Sequence, residues 1–364
     1  MIEQRVITFE TTDPVVMASG PSSGNTVHTD DFVPGTAIRG ALAGRILRRQ
    51  PPNDEFTRLF EIAVRCEDGH PSVVSRGDDG TITGIERSTP IPSSRRICKY
   101  ECGTAVDLAA IHLWDEVFPN ACSKCGAPLK ATTGWEDHEG RPVRTQTELL
   151  GKTELVGPGS REYGTARDES LRFDVAISCG QTFTAPLIGE GGDLDRLLEM
   201  ANFNMGDSIR VGRSKSTQGG LKVIAIESHP IDPLGGDMSG GLVVTLMSRA
   251  IIVDPFLRPT TELPNITGLS DRKESDDIDG AGDPIRWMAT EMVTGWNAGQ
   301  ALPKPTDRAL SRGSVFTFEA TDDDDGYLEE LSGWFERGIG LRRSEGFGSV
   351  RVQALPDILF EGER

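Results

Sequence analysis

Lysine is scarce in this chain: of its 38 basic residues eight are lysine and thirty are arginine. Two readings account for that bias. Arginine is the side chain suited to bidentate phosphate contacts, and a GC-rich or salt-adapted genome gives the same preference. Long apolar runs are also missing. No stretch approaches eighteen uninterrupted apolar residues and the opening MIEQRVITFETT is charged from Glu3 onward, so neither a membrane span nor a signal peptide is expected, and the expected location is the cytoplasm. Net positive charge is absent as well. A formal charge of −18 excludes a chain that coats nucleic acid over its whole surface, so any polyanion site must be local. What remains, 364 residues with 37% hydrophobic content, suffices for two ordinary domains or one large one.

Six cysteines are present, and four of them are clustered. CKYEC supplies Cys98 and Cys102, nineteen residues intervene, and CSKC supplies Cys122 and Cys125, with Gly126 placed for the tight turn of a knuckle. Cytoplasmic cysteines so spaced point to metal ligation before disulfides, and four thiolates suit tetrahedral structural zinc with no open catalytic position. An insertion with few large apolar residues gains from such a staple. Four free thiols are the alternative, and His70 or His112 is a substitute ligand to weigh. Cys66 and Cys179 stand alone and are expected to be small buried residues.

The order helix, glycine-rich basic loop, strand occurs twice. GDLDRLLEMA, with Leu194, Leu197, Leu198 and Ala201 on one face, leads through VGRSKSTQGG into the strand Leu221 to Ile226. GYLEELSGWFERG, with Leu328, Leu331 and Trp334 on one face, leads through GIGLRRSEGFGS into Val350 and Val352. Reading backward from each copy gives a strand at Arg5 to Phe9, a helix after Pro34, and strands at Thr153 to Val156 and Leu171 to Ile177. The second unit reads as a strand or hairpin at Leu242 to Val253, a helix over DPIRWMATEMVTGW and a strand over SVFTFEA. Both fit β-α-β-β-α-β. The predicted class is α+β: two ferredoxin-like (RRM-like) domains, residues 1–230 and 238–358, with a zinc-knuckle insertion over 51–150 in the first. A polar, acidic stretch from Arg258 to Pro284 reads as a loop.

Three segments, GTAIRGALAGR, VGRSKSTQGG and GIGLRRSEGFGS, combine small residues with cations. Glycine lets the main chain approach a ligand and turn its N–H groups inward, which is one way to hold phosphate. The alternative is a turn rich in glycine for conformational reasons. VGRSKST lacks Walker A spacing, EGFGSV stands too near the C-terminus to open a kinase domain, and EGFGSVRV lacks the basic and stacking residues of an RRM strand. Phe347 is left either to bury or to stack. Three such segments, two at equivalent places in a repeat, favour a shared polyanion groove.

FVPGTAIRGALAGRI, RVGRSKSTQGGLKV, TGWNAGQALPKPTDRALSRGSVF and GIGLRRSEGFGSV together resemble the RAMP (repeat-associated mysterious protein) superfamily of CRISPR effector subunits. With the cysteine segment ending CSKCGAPLK they look most like the large subunit of type III-D complexes that caps the 5′ end of the guide RNA. The resemblance implies a non-catalytic subunit that holds the repeat-derived 5′ tag of crRNA and assembles with backbone RAMP subunits, a large signature subunit and a small subunit, meeting target RNA indirectly. By matching position it implies RNA contacts at Gly35, Thr36, Arg39 and Gly40, at Arg213, Lys215 and Ser216, and at Gly340, Arg342, Arg343, Gly346 and Gly348. Some relatives cleave RNA with an aspartate just before the first of these motifs. Asp30 and Asp31 stand there, so a metal-dependent endoribonuclease is the alternative, against an ordinary acidic helix entry. A zinc-dependent protein-interaction module without RNA contact is the third reading. DDDDG at 322–326 reads as a solvated cap.

Overall fold

The computed structural model describes residues 2–18, 25–100, 102–110, 119–152, 172–213, 217–231, 241–272, 284–297, 300, 302–320 and 326–354. The chain is α+β, mostly strands in several sheets, and divides into two compact units. Unit 1 comprises Met1–Ser88, Val143–Pro230 and Met292–Asp307, and unit 2 comprises Thr89–Pro142, Ile231–Glu291 and Arg308–Arg364. The stretch read as one insertion, 51–150, is therefore divided. Its first part supplies strands to the unit 1 sheet, and the cysteine segment groups with unit 2.

In unit 1, β1 (Ile2–Thr11) is followed by α1 (Gly35–Leu47), β2 (Arg65–Cys66), β3 (His70–Arg76), β4 (Ile82–Arg87), β5 (Thr182–Glu190), α2 (Gly191–Ala201), β6 (Ser208–Arg210) and β7 (Gly220–Pro230). The sheet order is β6-β7-β1-β5-β3-β4, with β2 also on β5, and β1 is antiparallel to both neighbours. Odd-numbered β1 residues face the helices. Ile7 and Phe9 pair with Ala185 and Phe183 on β5 and are fully buried, together with Ile38, Leu42 and Ile46 on α1 and Leu194 and Leu197 on α2. Burying each such large side chain stabilises by about 1.5–3 kcal/mol. Pro34 enters α1 as the sequence predicts, but the cap comes from far away: the buried Asp68 carboxylate accepts the Gly35 N–H at 2.7 Å.

Two expectations for unit 1 are corrected. The strand at Arg172–Ile177 lies outside the main sheet, pairing antiparallel with Thr147–Lys152 and parallel with Thr26–Val27. The strand that leads into α2 is β5, which the sequence disguises with Pro186 in its middle. Proline has no N–H for a central ladder. Here the Pro186 carbonyl faces Glu67, in the gap between the short pairings of β2 and β3, so the missing donor falls where no ladder partner is needed. The strand expected at 153–156 lies outside the described residues. Cys66 is buried in the core, whereas Cys179 is exposed on the turn before β5.

In unit 2, β8 (Leu242–Leu246), β9 (Leu269–Asp271), β10 (Arg286–Trp287), β11 (Val315–Ala320), α3 (Gly326–Arg337) and β12 (Val350–Ala354) give the sheet β9-β11-β8-β12, with β10 also on β11. Leu242, Val244 and Leu246 face α3, where Leu331 is fully buried. The helix expected over 283–296 is not formed. Short strands occupy Arg286–Trp287, Thr290–Val293 and Trp296–Asn297, because Arg286 and Trp287 pair with β11 and Trp287 packs on Val243 and Val315. Nor do the described residues 247–268 contain a helix. Ile252, Leu263 and Ile266 from that irregular stretch fill the core instead. β9 also falls inside the stretch read as a loop.

Arg45 ties α1 to the end of α2, donating to the carbonyls of Ala201 (3.1 Å), Asn202 (2.7 Å) and Ser208 (3.3 Å) and to Asp207 (3.0 Å). A lysine cannot reproduce that fork. Arg45→Lys is expected to cost about 1–3 kcal/mol, from lost charge-assisted bonds, measured by urea unfolding against wild type.

Candidate functional site

The two glycine-rich loops are held by the same backbone clamp. In unit 1 the Arg213 amide donates to the Val16 carbonyl (3.0 Å) and the Gly219 amide to the Pro14 carbonyl (2.9 Å), while Val211 N–H donates to Gly219 (2.9 Å) across the loop's neck. In unit 2 the Leu341 amide donates to Ile251 (2.9 Å), the Gly348 amide to Arg249 (2.8 Å), and Ile339 N–H to Gly348 (2.9 Å). In each case two loop amides grip carbonyls two residues apart, just beyond the unit's first strand. The glycines are what permit this. Gly212 and Gly340 have φ of 72° and 75°, Gly219 and Gly348 have 85° and 75°, and a Cβ at any of the four would collide with a backbone carbonyl: Val16, Ile251, Val211 and Ile339 respectively.

The clamp sorts the expected contact residues. Gly340 and Gly348 serve close approach of the chain to itself, and Gly346 is a buried turn residue with φ of 94°. Arg342, itself in the left-handed region at φ 56°, is turned inward: Nη2 and Nε meet Glu345 Oε2 at 2.8 and 3.2 Å, and the guanidinium lies 4.7 Å from the centre of the Phe347 ring. Phe347, 6% exposed, buries rather than stacks. Arg343 is exposed. In the unit 1 loop Arg213 is exposed, and Lys215 and Ser216 lie outside the described residues. In the α1 motif Gly35 is buried and capped by Asp68. Arg39 donates twice to the Phe60 carbonyl (3.2 and 3.1 Å) and pairs with Glu61, whereas Thr36 is half-buried and Gly40 exposed with open space around it.

Asp30 and Asp31 are half-buried, the Asp30 amide donating to Met17 and the Asp31 carbonyl accepting from the Thr145 hydroxyl at 2.8 Å. Neither belongs to a potential metal cluster among the described residues. His70 is buried, its Nδ1 2.9 Å from the Ser88 carbonyl, and belongs to unit 1; His112 lies outside the described residues, as do 322–325.

Cys98, Cys102, Cys122 and Cys125 converge, with all four sulfurs within 4.8 Å of one another. The Cys98–Cys125 and Cys102–Cys122 separations are 3.4 Å and Cys102–Cys125 is 3.7 Å, near the ~3.8 Å edge of a tetrahedron with 2.3 Å metal–sulfur bonds. The strand Arg95–Cys98, between strands Ala105–Asp107 and Leu129–Ala131, carries the first ligand, and Gly103 and Gly126 turn the chain after each pair with positive φ. Amides point at the sulfurs. Cys102 and Tyr100 N–H groups hold the Cys98 thiol below its ordinary value; the Thr104 hydroxyl, with the Cys125 and Lys124 amides, lowers Cys122 to about 6. Cys125 receives the Ala127 N–H, but the neighbouring Cys98 and Cys122 sulfurs outweigh it and push Cys125 up to about 12. Four crowded sulfurs with amide donors around them are the surroundings a bound cation needs, so the site fits a metal such as zinc.

The cysteine segment also occupies one face of the unit 2 sheet. Ala109 and Ala110 pack on Val243 and Val315, Ser93 N–H donates to Gly313 at 2.7 Å, and the Arg312 guanidinium lies 4.8 Å from the Trp135 ring centre. That face, opposite α3, is no open platform for stacked bases.

No protein-family model matches the chain, and no curated protein matches it. It is similar to a chain of a type III-B Cmr-beta complex bound to cognate target RNA and AMPPnP, at 10% identity over 86% of each chain with a TM-score of 0.46. It is similar to a RAMP protein binding different RNA substrates, at 8% identity over 96% of this chain and 99% of that one, TM-score 0.38. A Cas6-related protein from Pyrococcus furiosus gives 10% identity over 97% and 99%, TM-score 0.35. A likeness this loose decides neither fold nor role.

The clamp makes a sharp stability prediction. Gly219→Ala and Gly348→Ala each put a Cβ into a carbonyl at positive φ and are expected to cost at least about 2 kcal/mol, read as a lower urea midpoint. Gly40→Ala, in a helix with open space, is expected to be neutral or stabilising by up to about 1 kcal/mol.

Proposed function

We propose that this chain is a non-catalytic, crRNA-binding RAMP subunit of a type III CRISPR effector complex, III-D-like, that holds the 5′ repeat-derived tag of the guide. The duplicated loop clamp carries the reading. Two loops at equivalent places, each fixed by its own backbone, present Arg213 and Arg343 outward, and phosphate contact by exposed arginine on a rigid backbone positions RNA without reading its bases. Three of the four motifs that resemble the superfamily fall on these same loops and on α1, and the fourth, TGWNAGQALPKPTDRALSRGSVF, runs into β11. Thr36, Gly40, Arg213, Lys215, Ser216 and Arg343 are the proposed contacts, while Gly35, Arg39, Gly340, Arg342, Gly346 and Gly348 shape the loops and helix that display them. The guide, backbone, large and small subunits are the proposed partners, with target RNA met indirectly.

Both units support a ferredoxin-like assignment. Counting each unit's four principal strands along the chain, unit 1 runs β7-β1-β5-β2/β3 and unit 2 runs β12-β8-β11-β9/β10, the order 4-1-3-2 of a split βαβ. In unit 2 the first helix is replaced by the irregular stretch through Leu263 and Ile266. The domains are proposed at about 1–230 and 238–358, the cysteine segment being inserted in the first by sequence and packed on the second. Zinc there is structural: four thiolates fill a tetrahedron and leave no position for water or substrate.

Three outcomes are expected. Complexes assembled with Arg213→Ala/Arg343→Ala bind guide RNA at least tenfold more weakly with unchanged melting, and the slope of log affinity against log salt falls by about 1.4 for two single-strand phosphates; unchanged affinity refutes the contact. The purified chain carries one zinc by elemental analysis, and Cys122→Ser removes it. Incubation of the complex with target RNA and magnesium gives the same products with Asp30→Ala/Asp31→Ala as with wild type; cleavage lost only in that variant means the endoribonuclease reading is correct.

A further inference from the structure

The four-cysteine site fixes more than its sulfurs. In CKYEC and CSKC the residue two places after the first cysteine turns its amide back to that cysteine. Tyr100 N–H meets the Cys98 sulfur and Lys124 N–H meets the Cys122 sulfur. The two knuckles therefore carry Tyr100 and Lys124 at equivalent positions on one small site, whose sulfurs all lie within 4.8 Å of one another. Tyr100 is 74% exposed, and Lys99 and Lys124 are exposed as well. The metal site thus sets the backbone of an outward aromatic and an outward cation.

Charge gathers on the same segment. The Lys99 amide donates to the Pro128 carbonyl at 3.0 Å, one step beyond the Ile97–Lys130 and Cys98–Leu129 pairs. That register puts Ile97, Lys99, Pro128 and Lys130 on one face, and Cys98 and Leu129 on the other, packed with Cys122 and Ala127. Lys99, Lys124 and Lys130 are three of the chain's eight lysines. Among the described residues of 95–131 they join Arg95 and Arg96 against a single carboxylate, Asp107, which faces Arg95 at 3.9 Å. Glu101 follows Tyr100 in sequence and lies outside the described residues. The Lys124 ammonium donates to the Cys102 carbonyl at 3.3 Å, a backbone contact that does not neutralise it. Four thiolates around a divalent ion keep about two negative charges, and Arg96, Lys99, Lys124 and Lys130 outnumber them. In a chain of charge −18 this is a local reversal of sign.

We infer that the cysteine knuckles form a further contact for single-stranded RNA, with one base stacked on Tyr100 and adjoining phosphates met by Lys99 and Lys124. An exposed ring among cations, on an otherwise acidic chain, is complementary to a polyanion whose every unit carries a flat π face. An acidic protein surface answers only the lysines, because the negative face of the ring repels carboxylates. Duplex RNA fails differently: its paired bases have no free face to stack. The ligand class rests on the RNA-binding reading proposed above, but no residue of the clamped loops enters this contact.

The test uses complexes assembled with the full chain, carrying 4-thiouridine in the guide in one arm and in the target in the other, irradiated and mapped by peptide. An adduct at Tyr100 is expected in at least one arm, which names the strand. Its yield should fall about fivefold or more in Tyr100→Ala and stay within about twofold of wild type in Tyr100→Phe, which keeps the ring. Zinc content and melting should match wild type in both variants. Lys99→Ala/Lys124→Ala should lower the slope of log affinity against log salt by about 1.4 for two single-strand phosphates. No adduct in either arm, an undiminished yield in Tyr100→Ala, loss of zinc from that variant, or an unchanged salt slope overturns the contact. So does p-benzoylphenylalanine at position 100 that crosslinks to a polypeptide and not to RNA. Adducts at Tyr100 with none in residues 210–220 or 338–349 would uphold this contact and remove the loops, and the reverse pattern would remove this contact alone.

Discussion

Everything proposed for the basic loops depends on four amide-to-carbonyl bonds: Arg213 and Gly219 to Val16 and Pro14, Leu341 and Gly348 to Ile251 and Arg249. They draw a loop against the segment that follows its unit's first strand, so closely that only glycine fits at the crossing points. A loop neck anchored this way fixes where the chain of Arg213 and of Leu341 to Gly348 runs. Buried backbone donors must be satisfied somewhere. Here the partner is always the same region of the unit, and the identity of the two clamps is a structural duplication at the level of individual bonds.

The clamp also reassigns charge. GIGLRRSEGFGSV holds two adjacent arginines that look equivalent in sequence, yet Arg342 is spent on Glu345 and Phe347 inside the turn and only Arg343 faces outward. The same division holds in α1, where Arg39 grips Phe60 and Glu61 while Gly40 leaves the surface open. In so acidic a chain few positive charges need reach solvent at a site, provided they are fixed there. The cysteine segment supplies a different kind of order. It brings thiols together under a set of amide donors and covers one face of the unit 2 sheet with Ala109 and Ala110.

Features with a local cause were legible in the sequence. α1 follows Pro34 with Ile38, Leu42 and Ile46 at helical spacing, both helix-loop-strand copies stand where read, and the four-cysteine spacing brings those sulfurs together. Features with a distant or purely backbone cause were not. β5 hides behind Pro186, tolerated only because the gap between β2 and β3 lies beside it. Asp68 caps a helix thirty-three residues earlier in the chain. Carbonyls that receive the clamps have no residue signature at all. Over 283–296 the apolar residues mimic a helical face, and pairing of Arg286 and Trp287 with β11 overrides it.

Mapping RNA crosslinks onto peptides of the assembled complex addresses the central claim most directly. The account predicts guide-RNA adducts in both clamped loops, within residues 210–220 and 338–349, and none that depend on the covered face of the unit 2 sheet. Adducts confined to one loop, or absent from both, would contradict it.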